Sequence, residues 1–369
     1  MMDERPVDHY AAAGVDTQKE SGAMKGFLDL IRATFPFTRG KPGEVVLDLG
    51  HFANVVRIPV GDKEIGIAIS ADGVGTKVLV AQMMERYDTI GIDCIAMNVN
   101  DLLCVGARPV SMLNYLALQT MDESVLTQIA KGLYEGAKQA GVAIPGGETA
   151  QVRDLIKGYA EGKGFDIAGM AVGVVETDRI MTGKGIAPGD LVFGLPSSGI
   201  HSNGLSLARR VLLDETGWAI DHVIPALGKS IGDELLTPTE IYVPVILEIM
   251  EKVCGIKAFS HITGDGLLNL LRVDSQVAFV IDHLPKPPPI FSLIQEQGGI
   301  SHREMFQVFN MGIGFCIVCA PEDMHLLNGI CERHHICLHR LGYAAESHEK
   351  FLEIRPFGLR GEGRAFREL

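Results

Sequence analysis

The sequence predicts an α/β chain, α+β in its details, made of two domains of mixed sheet packed with helices. Three observations carry that prediction. The chain has 369 residues, and a single core stops growing near ~250–300 residues, so two domains of ordinary size are expected. Short strand-like runs alternate with longer stretches of helical period. After Thr182-Gly-Lys-Gly-Ile-Ala-Pro-Gly-Asp190 the pattern restarts with a strand, a Gly-rich loop and a helix. The predicted boundary lies near 175–185, giving domains 1–178 and 179–369 with no low-complexity linker, so the two are expected to be tightly apposed.

In chain order, the first forty residues read as an arm with one helix, Ser21–Thr34, closed by Phe35-Pro36. Val45–Val60 and Glu64–Ser70 read as β. Thr76–Arg86 and Thr89–Val105 read as helices, Val110–Leu118 as β, Glu123–Ala140 as an amphipathic helix and Ile167–Glu176 as a buried strand. In the second half Leu191–Leu195 reads as a strand and Pro196–Asn203 as a polar loop. Helices are expected at Leu205–Asp214, Val243–Cys254 and Gly266–Val273, and a strand at Val277–Ile281. Pro287-Pro-Pro289 is a stiff connector. Helix, strand and helix follow to Glu332, with a last strand around Ile336.

Composition excludes several classes. Hydrophobic residues make up 47% of the chain and mean hydropathy is +0.19, so a disordered chain is excluded. The net charge is −13, which argues against coating nucleic acid or an anionic membrane. The longest apolar run, Met311–Ala320, is half of what a membrane span needs. The first residues, MMDERPVDHY, carry no basic region followed by an apolar stretch, so a cytoplasmic protein is expected. Seven cysteines without framework spacing suit a reducing compartment. Cys316 and Cys319 form a C-x-x-C on a strand-like run, where residues three apart point to opposite faces and cannot share a metal. Cys331, His334, His335, Cys337 and His339 cluster without a second spaced pair, which disfavours a zinc site.

The chain has 43 glycines, about 12% against an average of roughly 7%. They have no Gly-X-Y period and gather beside Asp, Thr, Ser and Asn. Ser70-Ala-Asp-Gly-Val-Gly-Thr-Lys77 lies between a strand and a helix, where free N–H groups attract phosphate; it lacks the Walker A pattern. Asp93, Asn98, Asn100 and Asp101 interrupt an apolar helix. At 100° per residue Asp93 and Asn100 share a face, with Asp101 about 80° round, and carboxylates there suit Mg²⁺. Pro145-Gly-Gly-Glu-Thr149 reads as a tight turn. Pro196-Ser-Ser-Gly-Ile-His-Ser-Asn-Gly204 and His261-Ile-Thr-Gly-Asp-Gly266 precede helices, and Phe309-Asn-Met-Gly-Ile-Gly314 leads into a strand. Each alone also suits a plain capped turn or internal hydrogen bonding. Together they point to a phosphorylated ligand with a metal.

Those segments, in order, resemble the phosphoribosylformylglycinamidine cyclo-ligases, also called aminoimidazole ribonucleotide synthetases. The resemblance runs over about 300 residues: Tyr10–Asp16, Asp72–Lys77, Asp88–Asp93, Gly146–Ala150, Ser197–Gly204, Leu236–Tyr242, His261–Gly264 and Phe309–Gly314. Asp101-Leu-Leu-Cys-Val-Gly-Ala-Arg-Pro109 fits the D-x4-G-A-x-P signature of the wider superfamily of ATP enzymes.

The resemblance implies an ATP-binding and dimerisation domain, whose sheets pair in a homodimer, followed by a domain that completes the substrate site. It implies ATP-dependent closure of an imidazole ring in purine synthesis. The cofactors implied are ATP and Mg²⁺, with K⁺ left open. Asp72, Asp93 and Asp101 would hold the metal. Gly73, Gly75, Thr76 and Lys77 would line the nucleotide, with Asn98 and Gly106 nearby, and Gly146, Gly147, Glu148 and Thr149 would close the site. Ser198, Gly199, His201, Ser202 and Asn203 would take the substrate's ribose phosphate and amide side, with Thr263, Gly264 and Asn310. His201 is the first candidate for proton transfer, His261 the second, and Lys77 the catalytic cation. His51 and Asp265 stand where the family has Gly, and Asn114 where it commonly has Asp. Lys25 is the nearest match for the family's N-terminal lysine, and Gln151-Val-Arg153 replaces its Glu-Met-Pro.

Related families fit less well. Selenophosphate synthetase needs a reactive residue near the N-terminus, but the first cysteine is Cys94. The hydrogenase-maturation relatives end in cysteine, but here the last residues are Phe366-Arg-Glu-Leu369. Thiamin phosphate kinase and a catalytically dead paralogue remain as alternatives.

Overall fold

The computed structural model describes residues 8–15 and 17–369. The acidic start of the chain and Asp16, the end of the first resembling segment, lie outside the described residues. A short helix α1 (His9–Ala12) and the arm helix α2 (Thr17–Arg32) lead into two sheets.

The first sheet holds β1 (Glu44–Leu47), β2 (Asn54–Val60), β3 (Lys63–Gly73), β4 (Arg108–Leu118), β5 (Ala143–Gln151) and β6 (Phe165–Glu176). Its order is β1-β2-β3-β6-β4-β5. β4 and β5 run parallel and the other pairs antiparallel. Helices α3 (Lys77–Met84), α4 (Ile90–Cys104) and α5 (Glu123–Ala140) belong to this half. α4 lies on one face of the sheet and α5 packs on α4. The sheet residues beneath α4 are small, Ala68 and Ser70 on β3 and Gly169, Ala171 and Gly173 on β6, and all are buried. α5 shows why its sequence is helical. Asp122 caps its first turn by accepting from the N–H groups of Ser124 and Val125. Gly141 ends it in the left-handed region at φ 66, and Ile129, Leu133, Ala137 and Ala140 form its buried stripe. α4 and α5 meet backbone to backbone: a Cβ on Gly91 would sit 2.1 Å from the Leu133 nitrogen, and one on Gly132 2.4 Å from the Asp88 carbonyl.

The second half carries β7 (Leu191–Pro196), a small hairpin β8 (Val223–Ile224) and β9 (Lys229–Ser230), then β10 (Ile256–His261), β11 (Val277–Ile281), β12 (Ile313–Cys319), β13 (His339–Glu346), β14 (Leu352–Ile354), β15 (Leu359–Glu362) and β16 (Ala365–Glu368). Eight of these strands form one sheet, β10-β12-β7-β13-β11-β14-β15-β16. Its helices are α6 (Leu205–Arg209), α7 (Ile231–Leu235), α8 (Val243–Lys252), α9 (Pro289–Gly298), α10 (His302–Val308) and α11 (Met324–Arg333). α4 also packs against β10 and α8, so one helix of the first half serves as a wall of the second. That dual burial explains why all but Ile92 and Asp101 of its fifteen residues are buried.

The structure differs from the expected elements in five places. Val45–Val60 is two strands round a loop at 48–53. Pro145–Thr149 is no turn but the middle of β5, because it pairs along β4 from Leu113 to Leu116. Leu205–Asp214 is one α turn continuing into a π-helix at Arg210–Glu215, and Gly266–Arg272 is 3-10. The strand expected around Ile336 starts at His339, and three further strands follow it. They are short, and β15 and β16 carry charged residues that hide their alternation. Cys316 and Cys319 both lie on the fully buried β12.

Candidate active site

The end of β3 delivers Asp72 and Gly73, and α3 begins at Lys77. Asn98 on α4 fixes this corner. Its Oδ1 accepts the Asp72 N–H at 2.9 Å, and its Nδ2 donates to the Asp72 carbonyl at 3.1 Å. With no exposed surface, Asn98 is a scaffold for Asp72. The Asp72 side chain is open to the cleft, but the protein packed round it raises its carboxyl to about 6, with the negative charge of Asp101 adding to the effect. Asp101, one turn before the end of α4, accepts from His261 Nδ1 at 2.8 Å. The other ring nitrogen of His261 faces Asn100 Nδ2 at 3.4 Å. With both nitrogens engaged and no exposed surface, His261 aims Asp101 at the cleft. Asp72 and Asp101 thus form an acidic pair of hard oxygen donors.

Asp93 does not join them. It stands eight residues before Asp101 on the same helix, roughly 12 Å along the axis. Its Oδ1 takes Lys77 Nζ at 2.9 Å, the Thr239 N–H and hydroxyl each at 2.7 Å, and the Ser202 hydroxyl at 3.3 Å. Lys77 also donates to the Thr237 carbonyl at 2.6 Å. Both charged side chains are wholly buried. Burial pulls the Lys77 ammonium below its usual value, and Asp93 opposes that. The pair is a polar joint between the two halves, and Thr237 and Thr239 are its second-half members. The sequence marked them only as part of the resembling segment Leu236–Tyr242, with no role for either, because a Thr-Pro-Thr run carries no charge and no period.

The joint holds the polar loop. Thr76 Oγ1 meets Ser206 Oγ at 2.9 Å across the two halves. Ser198 donates its hydroxyl to the Pro238 carbonyl at 2.5 Å. His201 is 2% exposed and adopts φ 65, a left-handed conformation uncommon for a non-glycine residue. Its Nε2 accepts the Ser198 N–H at 3.2 Å, so the neutral ring carries its proton on Nδ1, which has no partner among the described residues. Burial holds the imidazole well below its usual value, helped by the charges of His261 and Lys77. Gly314 makes room for it: a Cβ there would lie 2.0 Å from the Tyr242 hydroxyl and 2.6 Å from the His201 ring.

Asn310 also belongs to the scaffold. Its Nδ2 donates to the Gly199 and Ile200 carbonyls, and its Oδ1 accepts from Ser197 and Gly312. Thr263 and Gly264 line a separate cavity beside the loop, and a Cβ on Gly264 would sit 3.4 Å from Asn203 Oδ1. Gly106 turns the chain after α4, where a Cβ would crowd the Arg179 carbonyl at 3.1 Å. Gly146, Gly147, Glu148 and Thr149 are exposed on β5. They lie at the sheet edge, three strand spacings, or about 14 Å, from Asp72. Within one chain they are not brought to the acidic pair.

The three departures have structural explanations. Gly50, at φ 117, keeps the unusual backbone and His51 has an ordinary one. Asn114 shares one cross-strand row with Gly169 and Asp72, two strands away. Asp265 sits at φ 71 and is neutralised by Arg364 at 2.8 Å.

The matches to known proteins fit this geometry. The model of AIR synthase related protein, N-terminal domain, matches residues 50–175, and that of the C-terminal domain matches residues 187–355. A phosphoribosylformylglycinamidine cyclo-ligase of Thermococcus kodakarensis is 51% identical over 88% of this chain and 92% of its own. One from Methanothermobacter thermautotrophicus is 48% identical over 85% and 88%. Among solved structures, a thiamine-monophosphate kinase from Stenotrophomonas maltophilia shares the fold at TM-score 0.58 and 21% identity, covering 88% of this chain and 94% of that one. Matching models on both halves, and relatives near half identical along almost their whole length, lead to one conclusion: the chain belongs to the AIR synthase related protein family.

Proposed function

We propose that the chain closes the imidazole ring of aminoimidazole ribonucleotide from phosphoribosylformylglycinamidine, with ATP converted to ADP and phosphate, as a step of purine synthesis. The observation that carries this reading is the meeting of two chemistries across one joint. The acidic pair Asp72 and Asp101 lies on the first half, and the Ser198–Asn203 loop is held to it by Lys77, Asp93 and Thr239.

The reaction suits such a site. The formyl amide oxygen attacks the γ-phosphorus, forming an O–P bond as the bond to ADP breaks. The amidine nitrogen then attacks the activated carbon, phosphate leaves with the C–O bond electrons, and nitrogen gives up a proton. There is little covalent work for the protein, so positioning and charge stabilisation dominate. In this reading His201, neutral with Nδ1–H unspent, donates a hydrogen bond to the oxygen that gains charge. Lys77 and His261 act by fixing Asp93, the loop and Asp101.

Asp72 and Asp101 fit a divalent cation. The Asp72 carboxyl is raised first by burial and then by the negative charge of Asp101, and a cation would favour its charged form. Mg²⁺ held there would neutralise the triphosphate when bound. Asp93 is left out of this set because Lys77 occupies its Oδ1. Gly73, Gly75 and Thr76 would line the nucleotide beside the pair.

The reading includes a homodimer. Ile65, Ile67 and Ile69 on β3, Met170, Val172 and Val174 on β6 and Tyr115 on β4 alternate onto the sheet face opposite α4, and all are partly or fully exposed. A second copy covering that face would also bring a β5 edge, with Glu148 and Thr149, near a partner's cleft. The division at 178/179 belongs to the same proposal, falling in the short turn between the two sheets.

Purified protein given ATP, Mg²⁺ and formylglycinamidine ribonucleotide should release ADP in proportion to that substrate. ADP release that ignores the ribonucleotide overturns the assignment.

A further inference from the structure

The Ser198–Asn203 loop is poor in what a phosphate dianion needs. The hydroxyls of Ser198 and Ser202 are spent on the Pro238 carbonyl and on Asp93, and the histidine is neutral. Lys77 is wholly buried against Asp93, and Lys229, which donates to the Thr237 hydroxyl beside the loop, is paired with Glu234 at 2.7 Å. A phosphomonoester carries about −1.5 to −2 at neutral pH, and its strong partners are charged donors.

Such donors gather next door. A cavity of 720 Å³ opens between Gly50, the Thr263–Asn269 segment and the C-terminal strands, and Arg272, Lys350 and Arg364 line it. Three different segments supply them, so the fold, not a local charge run, assembles the patch. Each is anchored. Arg272 donates to the Gly50 and His51 carbonyls at 3.1 and 2.8 Å and stacks over the Phe52 ring at 4.2 Å. Lys350 donates to the Val273 carbonyl. Arg364, in the β15–β16 turn, pairs with Asp265. Asp265 is the one carboxylate in the lining, and that ion pair removes its charge from the balance. Arg272 and Lys350 have no carboxylate partner in the lining itself, though Asp274 outside it acts on Lys350. The cavity neighbours the reactive cleft: Thr263 and Gly264 in its lining directly follow His261-Ile262, and a Cβ on Gly264 would sit 3.4 Å from Asn203 Oδ1. Its volume falls within the usual range for a small ligand.

We infer that this cavity holds the 5′-phosphate of the ribonucleotide substrate, leaving the Ser198–Asn203 loop to the amide end. The inference rests on the proposed ring closure and assigns its phosphate subsite. Asp265 and Arg364 act in it as a pair: the carboxylate that replaces a family glycine aims the guanidinium, and Arg364 forms the rim of the cavity.

The test compares formylglycinamidine ribonucleotide with its riboside, which lacks only the phosphate. Lys350→Gln and Arg364→Gln should each lower kcat/KM for the ribonucleotide tenfold or more. Each should lower kcat/KM for the riboside less than twofold, and Lys350→Arg should restore most of the loss. Equal losses on both substrates, or none on the ribonucleotide, overturn the subsite. A second measurement needs no variant: crystals of the unmutated protein soaked with ribose 5-phosphate should show phosphorus in this cavity, and phosphorus against the Ser198–Asn203 loop refutes the assignment. If the unmutated protein turns over neither substrate, the ring-closure reading fails first, and the soak still decides where a phosphate binds.

Discussion

Lys77, expected along the nucleotide, shows how a side chain can point elsewhere than its sequence position suggests. Its position before a helix, in Asp-Gly-Val-Gly-Thr-Lys, suggests a cation facing phosphate, but the side chain points inward to Asp93 and Thr237. Removing one member of a buried ion pair leaves the other charge unpaired, which costs ~3–5 kcal/mol. Lys77→Met should therefore unfold at much lower urea, with the double variant Lys77→Met, Asp93→Leu recovering part of the loss. Equal midpoints for Lys77→Met and the unmutated protein would show that the pair does not hold the halves. His201 gives a pH prediction. Its folded value lies well below 6.5, so the unfolded chain takes up a proton that the folded one refuses. This stability is fully present above pH 6.5 and is lost as pH falls from there toward the depressed value. His201→Asn should flatten that slope in urea midpoints taken between pH 7.5 and 5.5. The sequence points to these side chains but not to their directions: it does not show that Asp93 is taken by Lys77 while Asp72 and Asp101 stay together.

At the scale of elements, long periodic segments were the most legible. α5 ends where its Asp122 cap and Gly141 predict, and α4 differs from expectation by one residue at each end. The misreadings fall where tertiary pairing overrides a local signal. Pro145-Gly-Gly looks like a turn, but β4 offers it a parallel partner, and Gly147 approaches Asn114 so closely that a Cβ would meet its carbonyl at 2.4 Å. The α4–α5 crossing is equally demanding. Gly91→Ala forces a methyl to within 2.1 Å of a main-chain nitrogen, so the helices must separate. Overpacking of this kind costs ~1–3 kcal/mol or more. The expected outcome is a lower thermal midpoint for Gly91→Ala, with Lys131→Arg on the exposed face of α5 as an indifferent control; a midpoint unchanged by Gly91→Ala would show that the crossing can relax.

For the whole molecule, the restart of the pattern after Asp190 correctly announced a second sheet, and the high apolar content announced a large core. What composition could not reveal is that the first sheet has one covered face and one open apolar face. Exposed apolar surface of that extent marks an interaction site. A charge at its centre should prevent a second copy from covering it. Ile67→Asp is expected to sediment as a monomer where the unmutated protein sediments as a dimer, and to lose activity if Glu148 and Thr149 act across the interface. A monomeric unmutated protein at micromolar concentration would remove the dimer from the proposal.

The joint at Lys77 also orders events during synthesis. The strands of the first sheet are complete once Glu176 has emerged, and domains generally fold in turn from the N-terminus. Yet the acceptor at Thr237 and the donors at Thr239 come sixty residues later in the chain. Until they arrive, Lys77 and Asp93 keep their water. A nascent chain halted between the two points therefore holds a formed sheet and an open, hydrated pocket. Docking of Thr237 and Thr239 closes that pocket, and His261 and Asn310, later still in the chain, then complete the scaffold of the site.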